Sequence, residues 1–253
     1  MPPELLRKHN ITPSNKPTAM RGPSLYRGHV PTTALGKVLI GLDAAARALA
    51  DPREARMVGV VGEATGARAL RRMHERMHRH PVGRAVLADR PALTQEALAE
   101  QLHGLPRESL GGAYAAFLER HGFDPDERSE VQFVDDADLA YVMMRYRQVH
   151  DLWHVLYALP PSLLGEVALK WLEAAQTGLP MAAMAAAAGG LRLKPSERAA
   201  VTRHVLPWAA QHARSGVDLM SVYYEREFAR PLDELRCELG IVLPPAELRA
   251  ADR

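Results

Sequence analysis

Apolar positions recur at helical spacing along nearly the whole chain, and period-two alternation of branched residues is almost absent. That pattern predicts an all-α fold with no sheet of consequence. The N-terminal stretch is different. Pro2, Pro3, Pro13, Pro17, Pro23 and Pro31 interrupt residues 1–31, which read as an extended segment. Packing is expected to begin at TTALGKVLIGLDAAARALA, Thr32 to Ala50, a threonine-capped helix stopped by Asp51-Pro52. Helical patterns then cover Pro52 to His80, TQEALAEQL, SLGGAYAAFLERHG, Asp136 to Ala158, Leu163 to Thr177, the alanine-rich 180s, Ser196 to Ala213 and Pro231 to Leu239. Residues 32–253 thus read as a single multi-helix globular domain, long enough to bury a sizeable core.

The helix over Asp136 to Ala158 carries the most informative chemistry. Asp135 is expected to cap it, with Asp138 in the first turn favoured by the helix dipole. Pro160-Pro161 ends it and lets Pro161 or Ser162 open an antiparallel partner. On a helical wheel His150 shares its face with Leu139, Met143, Tyr146 and Trp153, so it is expected to face the core. His154 lies about 40° round and one turn on, so both imidazoles can reach one point. Asp151 stands beside them as a ligand or as an orienting group. The fold-back at the prolines brings Glu166 to a matching height. Two histidines with carboxylates suit Zn²⁺ or another divalent ion with positions left open. The plainer reading is two core histidines near ordinary acids.

Composition narrows the options. Lys+Arg 32 against Asp+Glu 30 leaves a charge of +2, which gives no reason to expect nucleic acid as a partner. Cys237 is the only cysteine, so disulfides and thiolate metal sites are excluded within the chain. The longest nearly uncharged run, LPMAAMAAAAGGL from Leu179 to Leu191, is shorter than the roughly 20 apolar residues of a membrane span. Its small side chains and two methionines could line an apolar groove, or simply pack helices closely.

A second histidine pair needs weighing. His74-Glu75-Arg76-Met77-His78 matches the zinc-peptidase pattern. Arg71, Arg72, Arg76 and Arg79 surround it, their charge opposes a dication, and no third ligand follows, so a solvated charged face is the better reading. These arginines could instead touch anionic lipid. Arg147, one turn before His150, is a candidate partner for a substrate carboxylate, set against a structural ion pair.

The spacing of His150, Asp151 and His154, with eleven residues then separating His154 from Glu166, resembles the motif of the coenzyme Q (ubiquinone) biosynthesis protein 4 family. The likeness runs through SLYRGHVPTT, ALADPREARMVGVVGEATG, FVDDADLAYVMMRYRQVHD, LGEVALKWLEAAQTGLPM, YYEREF and LGIVLPP. It implies a peripheral α-helical protein on the matrix face of the mitochondrial inner membrane, a lipid surface that it shares with other ubiquinone-biosynthesis proteins in a multi-subunit complex. A homodimer is left open. The resemblance also implies a divalent metal, usually zinc, held by His150, Asp151, His154 and Glu166. The implied activity is that of a carbon-carbon lyase acting on a polyprenylated aromatic substrate: loss of the C1 carboxylate from a 4-hydroxy-3-methoxy-5-polyprenylbenzoate, either simple or coupled to hydroxylation at C1. Asp151 and Glu166 would then serve catalysis as well as ligation. The alternative is a non-catalytic lipid-binding scaffold that organises the complex.

Overall fold

The computed structural model describes residues 23–50, 55–215 and 217–249. The lead-in prolines up to residue 17 and the Asp51-Pro52 stop lie outside the described residues. In chain order the helices are α1 Ala34–Ala50, α2 Ala55–Thr65, α3 Ala67–Arg79, α4 Pro81–Asp89, α5 Gln95–Leu102, α6 Leu110–His121, α7 Ala137–Tyr157, α8 Leu163–Thr177, α9 Pro180–Arg192, α10 Pro195–Ala200, α11 Leu206–Ser215, α12 Tyr224–Glu227, α13 Leu232–Glu238 and α14 Ala246–Arg249. A π-helical turn, Val201–Val205, joins α10 to α11. No strand occurs among the described residues, and the all-α expectation holds. None of their helices is long and apolar enough to cross a membrane.

α7 is the axis of the domain. Fourteen of its 21 residues are buried, which is how a helix wrapped on most sides by others must look. α3 and α6 pack against it, while α1 pairs with α2 and α8 with α9. Its cap differs from the expected one. Asp136, not Asp135, accepts from the Asp138 and Leu139 amides at 2.9 and 3.0 Å. Asp135 is held instead by Lys37 at 2.6 Å and His29 at 3.0 Å, partners outside the helix that local spacing does not reveal. The Pro52 to His80 pattern resolves into two helices, α2 and α3, that meet at Gly66.

α7 ends with Ala158 in the left-handed region at φ 51°, and the Leu159 amide donates back to the His154 carbonyl at 2.9 Å. Ser162 then caps α8 by accepting from the Gly165 amide at 3.2 Å. Gly165 is required there: a Cβ would stand 1.9 Å from the Pro160 carbonyl oxygen. This close approach seats the first turn of α8, with Glu166, against the end of α7.

Candidate metal centre

The turn between α7 and α8 brings His150, His154 and Glu166 together, each offering a ligand atom within 4.8 Å of the others. Glu166 Oε1 lies 3.1 Å from His154 Nε2, and Oε2 lies 3.7 Å from His150 Nε2. The imidazole planes are nearly perpendicular at 84°. His154 is fully buried, whereas His150 keeps 19% of its side chain exposed. His150 therefore sits at the edge of the core and not within it, because it faces a polar pocket alongside α8.

Both rings are anchored at Nδ1. That of His154 meets the Leu159 carbonyl at 3.0 Å, and that of His150 meets Glu173 at 2.5 Å. Holding one ring nitrogen in this way fixes the tautomer and aims Nε2. His154 faces an acceptor at each nitrogen, the carbonyl and Glu166. With Nδ1 turned to the carbonyl, a cation shared with the carboxylate would satisfy Nε2. A divalent metal between His150 Nε2, His154 Nε2 and Glu166 satisfies that donor set, so the residues fit the ion.

Glu173 is the residue that sequence reasoning missed. It is wholly buried on α8 and accepts from Lys170 at 2.8 Å, from the Tyr146 hydroxyl and from His150. Burial pushes its carboxyl up, but the Lys170 ammonium and His150 more than offset this and bring its pKa to about 2. Burial and Lys170 both resist charging of His150, yet Glu173 and Glu166 outweigh them and raise its pKa to about 9. Against the same burial, the two histidines hold the Glu166 carboxyl well below the usual range. A signal was available. Glu166, Lys170 and Glu173 stand at i, i+4 and i+7, one stripe of α8.

Two predicted residues are placed differently. Asp151 pairs with Arg128, with 14% of its side chain exposed, and stands outside the three-residue cluster. Arg147 is committed to a structural pair: it donates to Glu63 at 2.6 Å and to the Ser129 carbonyl at 3.0 Å. Glu63, only 3% exposed, also accepts the Gln132 and Phe133 amides at 2.8 Å. Arg147 thus ties the 129–133 segment to α2. The wheel angle placed it near His150 without showing which neighbour it meets.

His154 lines one opening with Phe117, His121 and Leu159, and Glu166 lines two others. One is a polar pocket of about 300 Å³ walled by Phe123, Asp124, Glu127, Arg128, His150 and Asp151. The other is an apolar groove of about 190 Å³ between α1, α2, α8 and α9, where Val58, Val61, Met181, Met184 and Ala185 meet Lys170. The alanine-rich run therefore does line a groove. It also packs closely, since a Cβ on Gly62 would meet Met181 Sδ at 2.1 Å.

Comparisons with known proteins show the family and the fold. The profile of the family described as Coenzyme Q (ubiquinone) biosynthesis protein Coq4 matches residues 26–245. The "Ubiquinone biosynthesis protein COQ4 homolog, mitochondrial" of Xenopus tropicalis is 45% identical over 228 residues, 90% of this chain and 81% of that one. The Homo sapiens protein of the same description is 42% identical over 226 residues, 89% of this chain and 85% of that one. A candidate ubiquinone biosynthesis protein from Nostoc punctiforme shares the fold at 19% identity, with a TM-score of 0.64 over 83% of this chain and 99% of that one.

Proposed function

Because the chain belongs to the Coenzyme Q (ubiquinone) biosynthesis protein Coq4 family and has its part in ubiquinone biosynthesis, we propose that it is a metal-dependent decarboxylase of a 4-hydroxy-3-methoxy-5-polyprenylbenzoate. One observation carries this reading. Glu166 stands on the wall shared by a polar pocket and an apolar groove, so one ligand with an aromatic acid head and an isoprenoid tail can occupy both while its ring rests at the His/Glu cluster. A bound Zn²⁺ or similar ion would act as a Lewis acid toward a substrate oxygen.

The chain's own groups do the rest. His150 and His154 present Nε2 from rings that Glu173 and Leu159 hold in place. Asp151, the fourth residue of the family motif, stands beside the cluster on Arg128, where it would hold that guanidinium in place next to the ion. Loss of CO₂ from the ring carboxylate leaves a carbon that must take a proton; because the two histidines hold Glu166 ionised, a water beside the cluster would deliver it. The Lys170 ammonium, kept charged against its burial chiefly by Glu173, adds positive potential where the ring turns toward the groove.

The groove's surroundings suit a lipid surface. Leu35, Val38, Leu39, Leu42 and Leu49 of α1 and Leu191 of α9 are 57–77% exposed, and Leu49 also lines the groove. This face would rest on the matrix side of the mitochondrial inner membrane, peripherally, so that a long tail passes from bilayer to groove without entering water.

The test is to incubate the metal-loaded chain with a short-tailed prenyl-hydroxymethoxybenzoate and to follow loss of CO₂ by mass spectrometry, with and without O₂. A phenol product indicates simple decarboxylation, and a hydroquinone indicates replacement of the carboxylate by hydroxyl. Glu166→Gln should abolish product while leaving assembly with partner proteins intact. Absence of turnover with metal, detergent and partner proteins present would instead support the scaffold.

A further inference from the structure

The polar pocket is hostile to an acid. Asp124, Glu127, Asp151 and Glu166 line it, and among the described residues Arg128 is the one Lys or Arg side chain on its wall. An anionic ring entering there meets four carboxylates, so a cation must face it. The guanidinium is also fixed in place. Nε donates to the Arg147 carbonyl at 3.1 Å, Nη1 donates to the Pro125 carbonyl at 2.9 Å, and Nη2 pairs with Asp151. The side chain is 16% exposed and lines the pocket.

These bonds use three of the five N–H groups of a guanidinium, and the Tyr114 hydroxyl borders it as well, yet the charge still lines the pocket. A guanidinium there can pair with a planar carboxylate. We propose that Arg128 reads the acid group of the bound aromatic, holding its carboxylate in the polar pocket and setting the preference for an acid over the neutral phenol that remains after CO₂ is lost. This rests on the function proposed above. It replaces Arg147, whose guanidinium is engaged with Glu63, as the carboxylate partner. It also gives a reason for product to leave, since the decarboxylated ring has lost the group that Arg128 holds.

The experiment is isothermal titration of the zinc-loaded full chain in detergent with two probes, 4-hydroxy-3-methoxy-5-prenylbenzoate and its decarboxylated counterpart 2-methoxy-6-prenylphenol. The unaltered chain should bind the acid more tightly. Arg128→Gln should weaken the acid by about ten- to hundredfold, the worth of charge-assisted hydrogen bonds, and leave the phenol within about twofold. Arg128→Lys keeps the charge but lacks the fork, so it should lose part of the preference and covers the case in which the glutamine variant fails to fold. Equal loss for both probes, or an unchanged preference in folded, zinc-loaded Arg128→Gln and Arg128→Lys, would overturn the role of Arg128 while leaving the decarboxylase reading standing. An unaltered chain that binds neither probe would overturn both.

Discussion

Two helices carry the same spacing of histidines, and only one of them builds a centre. On α3, His74 and His78 lie stacked at 6.3 Å and 11°, facing an opening shared with Arg84, Arg90 and Asp138. On α7, His150 and His154 approach to 4.8 Å with their planes crossed, and each ring is fixed from behind by an acceptor at Nδ1. Glu75 of the first pair is paired with Arg79 and points into solvent, while the second pair meets Glu166 across a helix junction. The difference lies in what surrounds the two rings. A donor set needs partners that aim its lone pairs and a second element that closes the shell, and sequence spacing supplies neither.

The comparison is broken most directly by removing each pair in turn. His150→Ala with His154→Ala should abolish bound metal in protein purified without chelator, as read by elemental analysis, whereas His74→Ala with His78→Ala should leave it unchanged. The reverse result would make α3 the true ligand set.

The second effect is on stability. In the metal-free chain the folded-state pKa of His150 is raised from 6.5 to about 9. Its contribution is therefore complete below pH 6.5 and is lost as pH rises toward 9, as much as ~3 kcal/mol at 1.36 kcal/mol per unit. Denaturant melts across this window should show the slope, and His150→Ala or saturating zinc should remove it. A slope that persists in His150→Ala would assign it to another group.

A smaller effect isolates the anchor. Glu173→Gln leaves every proposed ligand in place but weakens the support behind His150, and metal affinity should fall by about 10- to 100-fold in competition with a chelating dye. Unchanged affinity would remove Glu173 from the centre. On α3, the expected role is that of a charged face. Neutralising Arg71 or Arg72 should cost about 1 kcal/mol each in binding to anionic vesicles, an effect that salt suppresses. Indifference to both changes would leave these arginines as solvated surface.

What could be read from the chain follows the same division. Periodicity, the Asp-rich start and the Pro-Pro stop of α7 were legible, and so was the meeting of His150, His154 and Glu166, because helix pitch and an antiparallel return determine it. Long-range pairing was not. Spacing favours Asp135 as the cap, and nothing near it in the sequence shows that Lys37 claims it. An ion pair for Arg147 is legible as an alternative, but its partner is not, because Glu63 lies 84 residues away. Arg128 and Glu173 stand on segments whose role appears only once they fold against α7. Charged side chains choose partners by proximity in space, and a single sequence records only proximity along the chain.

Because Glu166 belongs to both the polar pocket and the apolar groove, it works as the zero mark of a ruler. Under the proposed function, the junction of ring and tail is metered at this one side chain, and every additional isoprene unit extends away from it toward the exposed leucines of α1. Substrates of different length would then present the same ring to the same histidines. Tolerance for length would be decided at the far end of the groove, where variation is cheap, and not beside the cluster. Enlarging a residue at the open end, for example Ala48→Phe in the groove wall, should narrow the range of accepted tails without moving the ring.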